Sequence, residues 1–384
     1  MALKVLVATR LYPPEVGAAA FRLEALVRGL EEGGADVTVL TTRPPSEGGQ
    51  RGRATDSVKR WPVLRDSGGN VRGYVQYMSF DIPLFFRLLA SRADVVVAEP
   101  PPTTGLMVAA SSFLRRRPYV YYAADIWTDA LAATGAPSPV VKLMARIEGI
   151  ALRRSQKVIA ISDGVAEQTG QFGLDPAQVA VVGNGVNTDV FSAEGPTATP
   201  GYCYFVYTGT MSEWQGAEIF IEAMALVLER FPDARLHFFG QGSAEAALRA
   251  RAQELAPERV TFNGVVPPAE AARWLRGASA ALVSIVPGQG YDFAKPTKIY
   301  AAAACGTPVV YAGVGDGARM VSENGLGAAS GYSAADIAEA MMRFLEETDH
   351  HRAERSSWAE GNASLRVAGR RAAQVILSAV PAVR

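Results

Sequence analysis

The sequence predicts an α/β protein made of two Rossmann-like, doubly wound domains. Short runs rich in β-branched residues alternate with helical stretches, which is typical of parallel sheets covered on both faces. The alternation starts a second time after a polar stretch rich in Pro, Gly and Thr, from Glu194 to Gly201, which we interpret as a linker. The length of 384 residues also exceeds the usual size of one compact domain. We expect one sheet in each half.

The first half opens with a βαβ unit, formed by the strand KVLVAT at Lys4 to Thr9, a helix at Ala18 to Glu32 and the strand DVTVLTT at Asp36 to Thr42. Residues 44–60 are polar and Gly-rich, and they predict a mobile loop. These elements predict a first domain over residues 1–194. Its further buried strands are expected at residues 94–99, 119–125, 157–162 and 179–184.

The second half repeats the pattern from YFVYTG, at Tyr204 to Gly209. It predicts a second doubly wound domain over residues 201–364. The last helical stretch lies within residues 365–384 and is expected as a C-terminal helix that can pack back on the first domain. Further strands of the second domain are expected at residues 235–240, 260–264, 280–286 and 307–313.

Charge and cysteine usage exclude several classes of function. The chain has 38 basic and 38 acidic residues, so no global field favours nucleic acid as a partner. The two cysteines, Cys203 and Cys305, match no metal-ligand spacing or disulfide framework. No signal peptide precedes the first strand, and no apolar run is long enough to span a membrane. We expect a cytoplasmic protein, with peripheral contact at the inner membrane face as an open alternative.

Two helix starts are candidate anion sites. Gly17 precedes three alanines after the first strand, where free N–H groups of a helix point outward. In the second half, Lys295 precedes Pro296, Thr297 and Lys298, and proline suits the first helical position. A diphosphate there would gain from the helix dipole and from the lysines. Packing turns and solvated lysines are the alternatives.

A third glycine-rich turn follows the strand RLHFFG. Gly240 and Gly242 can line a cleft there, although a packing turn explains them equally well. No G-x-G-x-x-G fingerprint is present, so NAD has little support as a cofactor. No Asp-X-Asp motif stands at a strand end either, so a divalent metal site is not expected.

Seven segments of the sequence carry a family resemblance when they are taken in order: PPEVG, AISDGVAEQ, VVGNGVNTDVF, VYTGTMSEWQGAEIFIEA, HFFGQGS, VTFNGVV and KPTKIYAAAACGTPVV. They resemble the retaining glycosyltransferases of family four. The resemblance implies the GT-B fold, with two facing Rossmann-like domains and a nucleoside-diphosphate sugar held between them. It implies a UDP, GDP or dTDP sugar as donor substrate, no further cofactor, and a hydroxyl acceptor such as a polyprenyl-linked saccharide or a small natural product.

Two further stretches, VVVAEPPPTTG and ADIWTDALAATG, resemble the branch that makes bacterial envelope polysaccharides, often from aminosugar donors. The donor positions depart from the family. Thr210 and Gln215, after Gly209, stand where basic residues often contact the diphosphate, and Phe293 and Ala301 stand where two glutamates are frequent. Lysine is then expected to supply the phosphate charge. The implied donor-binding residues are Gly17, Gly209, Thr210, Gln215, Gly240, Gly242, Lys295, Thr297 and Lys298.

No imidazole of the first half can serve as a base, because His237, His350 and His351 all belong to the second half. An inverting mechanism would need a side-chain base, for which the first-half carboxylates are the candidates. Asp125, which ends the YVYYAAD strand, is the catalytic candidate. Glu15 and Glu99 are the other first-domain carboxylates. With Trp127, which can stack on a sugar or lipid, they form the predicted acceptor site; a helix cap and a core aromatic are the alternatives for Asp125 and Trp127. A retaining mechanism, implied by the resemblance, can use the leaving diphosphate oxygen as base.

The segment from Tyr77 to Val96 has apolar residues at near-helical spacing and arginines beside them, and Arg115, Arg116 and Arg117 form a second cluster. A membrane surface can bind such a face, but core packing of Phe85, Phe86 and Leu89 explains it as well. Two rival functions stay open. One is a sugar-nucleotide epimerase of similar fold, which the scarcity of histidine disfavours, and the other is a non-catalytic subunit that binds a nucleotide sugar.

Overall fold

The computed structural model describes residues 2–15, 17–45, 57–66, 69–71, 73–133, 136–347 and 350–380. The chain divides into two compact units, and the first consists of two separate stretches, Met1–Asn184 and Leu365–Arg384. The second unit is Gly185–Ser364. Both contain a parallel sheet with helices on its faces, so the predicted α/β class is confirmed.

The first unit is built on a seven-stranded sheet in the order β3-β2-β1-β4-β5-β6-β7. All neighbouring strands are parallel. Its strands are β1 Lys4–Ala8, β2 Asp36–Thr42, β3 Val58–Trp61, β4 Val95–Ala98, β5 Tyr119–Ala123, β6 Lys157–Ala160 and β7 Val179–Val181. Its helices are α1 Ala18–Glu32, α2 Tyr74–Ala90, α3 Pro102–Arg115, α4 Trp127–Ala133, α5 Ser138–Arg153, α6 Asp163–Thr169 and α14 Leu365–Ser378.

The second unit is built on a six-stranded parallel sheet in the order β10-β9-β8-β11-β12-β13. Its strands are β8 Tyr204–Thr208, β9 Arg235–Phe239, β10 Val260–Phe262, β11 Ala280–Ser284, β12 Val309–Ala312 and β13 Gly327–Ser330. Its helices are α7 Glu218–Arg230, α8 Glu245–Leu255, α9 Pro268–Gly277, α10 Thr297–Ala304, α11 Gly315–Glu323, α12 Ala334–Glu346 and α13 Arg352–Asn362.

Alternate residues of each central strand face opposite helical layers. In β1, Val5 and Val7 pack with α1 and α14, whereas Leu6 and Ala8 pack with α2, α3 and α5. Side chains of a strand alternate between the two faces, so a strand covered on both has to be apolar throughout. This is why the runs of valine and isoleucine identify the central strands so clearly.

Helix α14 lies against α1 at a close glycine contact. A Cβ atom on Gly29 would lie 2.8 Å from the Gly369 carbonyl oxygen, and one on Gly369 would lie 2.4 Å from the Ala25 carbonyl oxygen. Arg370 Nε also donates to Glu32 at 2.7 Å. Side chains at these two positions would push the helices apart, so the sequence permits this approach only with glycine.

The structure differs from the sequence-based expectation at three places. Strand β3 lies at the end of the stretch predicted as a loop, of which residues 46–56 are outside the described part. Strand β13 has the sequence GAAS, which lacks the β-branched residues that identify strands. The predicted linker, Glu194 to Gly201, is bound inside the second unit, where Arg276 Nε donates to Pro196 at 2.8 Å and Ala198 accepts from Tyr204 at 3.0 Å.

Candidate functional site

The first unit has a concave pocket of about 700 Å³ at the carboxyl edge of its sheet. The pocket lies where the strand order reverses between β1 and β4, which is where doubly wound sheets bind ligands. Four residues predicted from the sequence line it together: Glu15, Glu99, Asp125 and Trp127. Gly17 caps the start of α1 with an extended backbone, and its neighbour Ala19 lines the pocket.

Glu99 is buried and fully engaged at the floor of this pocket. Its carboxylate accepts from Arg22 Nη2 at 2.9 Å and from the Thr9 hydroxyl at 2.8 Å. Burial raises the pKa of Glu99, and the Arg22 charge opposes that rise. The pair connects the end of β4 to α1, so Glu99 fixes the pocket rather than offering a free carboxylate.

Glu15 is also held by an arginine, Arg65, which forms an ion pair with it. Arg65 donates further to the Gly69 carbonyl at 2.8 Å and the Arg43 carbonyl at 2.6 Å. Glu15 thus ties the loop after β1 to the segments after β2 and β3. Burial raises the pKa of Glu15, and Arg65 counteracts it.

Asp125 is the one predicted carboxylate that is exposed to solvent. The pocket walls displace water from its carboxyl group and raise its pKa, while Arg22 and a hydrogen bond with Trp127 oppose the rise. The carboxyl group of Asp125 lines the pocket and stays accessible from it despite its interactions with Arg22 and Trp127. The arrangement leaves Asp125 able to accept a hydrogen bond from a ligand hydroxyl.

Glu148, on α5, positions this wall of the pocket. Its buried carboxylate accepts from the backbone N–H of Trp127 at 2.9 Å, the backbone N–H of Thr128 at 2.8 Å and the Thr128 hydroxyl at 2.6 Å. These are the first free N–H groups of α4, and a carboxylate is favoured there by the helix dipole. The Trp127 ring packs edge-on against Tyr77, with centroids 5.8 Å apart.

The sequence analysis missed the arginines of the pocket. Arg10 lies over the Tyr77 ring at 3.9 Å, and its Nε and Nη1 atoms are buried without a hydrogen-bond partner. Burial lowers the pKa of Arg10. Its position directly after β1 was a usable signal, because loops at strand ends carry ligand contacts. Arg22 gave a signal as well, as a charged residue within an apolar helix.

In the second unit, the predicted glycines make the loops after β8 and β9 pack closely. Gly209 and Gly240 have φ angles of 103° and 132°, which L side chains rarely adopt. A Cβ atom on Gly240 would lie 1.9 Å from the Gly209 carbonyl oxygen, and one on Gly242 would lie 2.1 Å from that of Met211. These glycines are required for the contact between the two loops.

Gln215 is buried and closes the loop after β8. Its Oε1 atom accepts from the backbone N–H of Ser212 at 3.1 Å, the Thr210 hydroxyl at 3.3 Å and the Tyr207 hydroxyl at 3.2 Å. Thr210 is exposed on the same loop. The neutral side chains of Thr210 and Gln215 thus bind each other and hold the loop in shape.

Lys298 lies in the first turn of α10, which begins at Thr297. Its Nζ donates to the Tyr207 hydroxyl and to the Thr210 carbonyl, the latter at 2.8 Å. Burial lowers the pKa of Lys298 well below its ordinary value. Lys295 is exposed before the helix. The Lys298 amine therefore lies beside the loop after β8, at the point where the strand order reverses between β8 and β11.

Phe293 and Ala301 occupy different surroundings. Phe293 is exposed, whereas Ala301 lies on α10 and is buried in the core of the second unit. A second aromatic feature, also missed in the sequence, is the stacked pair of Trp214 and Tyr291. Among the described residues, no cluster of three or more His, Cys, Asp or Glu side chains could hold a metal ion.

Family comparisons match the two halves separately. The model described as a glycosyl transferase 4-like domain matches residues 17–185. The model described as glycosyl transferases group 1 matches residues 203–347. Helices of the described residues are all too short or too polar to cross a bilayer.

Curated relatives cover part of the chain. D-inositol 3-phosphate glycosyltransferase 2 of Catenulispora acidiphila is 27% identical over 236 residues, 56% of this chain and 54% of that protein. The D-inositol 3-phosphate glycosyltransferase of Segniliparus rotundus is 30% identical over 198 residues, 48% of this chain and 42% of that protein. The chain thus spans about half the length of the curated relatives it matches.

Solved structures match over nearly the whole chain. Anabaena Alr3699/HepE, crystallised with UDP, superposes with a TM-score of 0.71 at 18% identity, covering 98% of this chain and 100% of that chain. Crystals of the same protein also contain UDP-glucose. At this identity the likeness shows the GT-B fold, and the family models match a glycosyl transferase 4-like domain over residues 17–185 followed by a glycosyl transferases group 1 domain over residues 203–347.

Proposed function

We propose that this chain transfers a sugar from a nucleoside-diphosphate sugar to a hydroxyl group of an acceptor. The position of Lys298 carries the proposal, because its amine lies at a helix start beside the loop after β8, where a bound diphosphate would favour its protonated form. A diphosphate there is stabilised by the helix dipole and by direct charge. The complexes of Alr3699/HepE with UDP and UDP-glucose support a uridine nucleotide as the first donor to test.

The acceptor belongs in the pocket of the first unit. Asp125 orients the acceptor hydroxyl by accepting its hydrogen bond, and the Trp127 ring contacts an apolar face of the acceptor. The names of the curated relatives support D-inositol 3-phosphate as one acceptor to test. The resemblance to the envelope-polysaccharide branch supports a polyprenyl-linked saccharide as another, with an aminosugar donor.

The transfer is proposed to retain the anomeric configuration. Glu15 and Glu99 are bound to Arg65 and Arg22, so neither is free to act as a separate base. In a retaining reaction the acceptor oxygen bonds to the anomeric carbon as the bond to the diphosphate breaks. The acceptor proton passes to the leaving diphosphate oxygen, and Asp125 holds the hydroxyl in position.

Purified protein tests this function directly. We would incubate UDP, GDP and dTDP sugars, including an aminosugar donor, with D-inositol 3-phosphate or a polyprenyl-linked saccharide. The expected result is equal amounts of glycoside and nucleoside diphosphate, with the donor's anomeric configuration seen in the product by NMR. Conversion of the donor sugar without acceptor would indicate an epimerase instead. Nucleotide binding without any product would indicate a non-catalytic subunit.

Substitution of Lys298 by alanine is expected to weaken nucleotide binding about tenfold, because a charge-assisted hydrogen bond contributes roughly 1.5 to 3 kcal/mol. The fold should change little, since the Tyr207 hydroxyl still donates to the Thr210 carbonyl at 2.9 Å. Calorimetry measures the affinity for UDP, and a thermal scan measures the unfolding temperature of each variant. Lys295→Ala is the matched control and should have a small effect because Lys295 is exposed. Unchanged affinity of the Lys298→Ala variant for UDP would contradict the assignment of the donor site to Lys298.

We also propose a peripheral contact with an anionic membrane on the cytoplasmic side, where free cysteines such as Cys203 and Cys305 are expected. Phe86, Phe113 and Leu114 are exposed on α2 and α3, so core packing does not explain Phe86. Every charged residue of α3 and α5 that is exposed is basic: Arg115, Lys142, Arg146 and Arg153.

Two of the three clustered arginines have a structural role as well. Arg117 Nη2 donates to the Leu88 carbonyl at 2.8 Å, and Arg115 donates to the Ser91 carbonyl at 3.3 Å. These contacts cap the end of α2. Arg116 is exposed and is the better residue to substitute.

Flotation with vesicles containing phosphatidylglycerol tests the membrane contact. Binding should decrease at high salt and in a Phe113→Ser, Arg116→Ser variant, because both apolar contact and charge are reduced. Leu226→Ser, on α7 of the second unit, is the control and should float like the parent protein. Equal flotation of all three proteins, or none for any, would contradict the contact.

A further inference from the structure

Trp214 and Tyr291 form a stacked aromatic pair in the second unit, with ring centroids 4.5 Å apart and planes 25° apart. The two residues come from different loops, because Trp214 follows β8 and Tyr291 follows β11. The strand order of the second sheet reverses between these two strands. The pair therefore stands where a doubly wound sheet binds its ligand.

Both backbones of the pair are held in place. The Val286 N–H donates to the Trp214 carbonyl at 2.9 Å, which ties the loop after β8 to the loop after β11. The Asp316 N–H donates to the carbonyl of Asp292, next to Tyr291, also at 2.9 Å. Because the loops are fixed by these bonds, a ligand that packs on the rings has little ordering entropy to overcome.

Exposed apolar side chains gather at the same edge of this sheet. Of the described second-unit residues with large exposed apolar side chains, Val265, Tyr291, Phe293 and Val314 follow β10, β11 and β12, and only Leu226 lies elsewhere. An apolar surface concentrated at a ligand-binding edge indicates a ligand with an apolar face. A pyranose ring presents such a face through its C–H groups.

The position of Lys298 distinguishes the sugar of the donor from its base. Its Nζ contacts the Thr210 carbonyl, and Trp214 lies four residues further along the same loop. Tyr291 lies seven residues before Lys298. Both rings thus lie on chain segments next to the group that would hold the diphosphate. The transferred sugar is bonded directly to the diphosphate, whereas the ribose separates the base from it.

We propose that Trp214 and Tyr291 form an aromatic wall against which the ring of the transferred sugar packs, and that this wall contributes to selection of the donor. The proposal rests on the proposed function, since it takes the Lys298 site as the diphosphate site. It adds a contact that recognises the sugar itself.

Calorimetry with UDP and UDP-glucose separates the sugar from the nucleotide. Trp214→Ala is expected to lose about tenfold in affinity for UDP-glucose, the size of a good aromatic contact, while its affinity for UDP changes less than about twofold. Trp214→Phe keeps a ring and should restore most of the loss. Tyr291→Leu should show the same selective loss, and Leu226→Ala, on an exposed helix surface, should show none. Thermal scans establish that each variant is folded.

The possible results distinguish a failure of the aromatic wall from a failure of the proposed nucleotide-sugar function. An equal loss for UDP and UDP-glucose would place the rings on the nucleotide and overturn the proposal, as would unchanged affinity for both. If the wild type binds neither ligand, nor their GDP and dTDP counterparts, the nucleotide-sugar function fails together with the wall. If Trp214→Ala does not fold, Tyr291→Leu carries the same comparison.

Discussion

Replacement of Asp125 by asparagine is expected to slow sugar transfer about a hundredfold, the cost of losing correct orientation of a reacting group. Asparagine keeps the size of the side chain but loses the charged acceptor that faces the pocket. The Michaelis constant for the donor should stay near its wild-type value, because Asp125 belongs to the first unit and Lys298 to the second. Initial rates with saturating donor measure the effect.

The pH dependence of transfer provides a second readout of Asp125. Desolvation raises its pKa, so the carboxylate takes up a proton at a higher pH than an ordinary aspartate, whose pKa is about 3.9. Protonation removes the charge of the acceptor for the substrate hydroxyl, and activity should therefore fall as the pH is lowered through this raised pKa. The asparagine variant should lack this acid limb. An unchanged acid limb in the variant would assign it to another group.

Replacement of Arg22 by methionine is expected to destabilise the first unit by about 3 to 5 kcal/mol, because the Glu99 carboxylate is left buried without its partner. The loss should shrink as the pH falls. Glu99 already has a raised pKa, and protonation of the unpaired carboxyl removes the buried charge. Urea unfolding, followed by amide hydrogen exchange of β1 and β4, measures the change within the unit that contains the pair.

A double variant separates the charge from the packing. Adding Glu99→Gln to Arg22→Met removes the uncompensated charge and keeps an acceptor for the Thr9 hydroxyl. Most of the stability should return, since replacing both members of a buried pair costs far less than removing one. If Arg22→Met alone unfolds like the wild type, the ion pair does not stabilise the pocket.

The sequence predicted the fold class correctly because each central strand is covered on both faces and must be apolar throughout. The apolar runs Val95 to Val97 and Tyr119 to Tyr122 therefore identify buried strands. Prediction failed where this requirement is absent. Strand β3 lies at the edge of its sheet and has two adjacent polar residues, Lys59 and Arg60, and β13 consists of Gly, Ala and Ser. Edge strands are specified by their neighbours more than by their own residues.

For the candidate sites, the positions of strand ends predicted which residues line the pocket. They did not predict which side chains form hydrogen bonds or ion pairs with those residues. Asp125 and Glu99 were predicted because they end strands, and both line one pocket. Their surroundings depend on distant parts of the chain: Arg22 is 77 residues from Glu99, and Arg65 is 50 residues from Glu15. The sequence alone does not show which arginine meets which carboxylate. It therefore does not show which carboxylate stays accessible.

The division of the first unit into two stretches has a consequence for synthesis on the ribosome. Helix α14 covers α1 and shares a core with β1, yet its residues leave the ribosome after all of the second unit. The apolar side of α1 therefore stays uncovered while about 180 intervening residues are made, the length of Gly185–Ser364. Expression of residues 1–184 alone would keep that surface exposed permanently. Fusion of α14 to this fragment through a flexible linker is the way to obtain a soluble first unit for study.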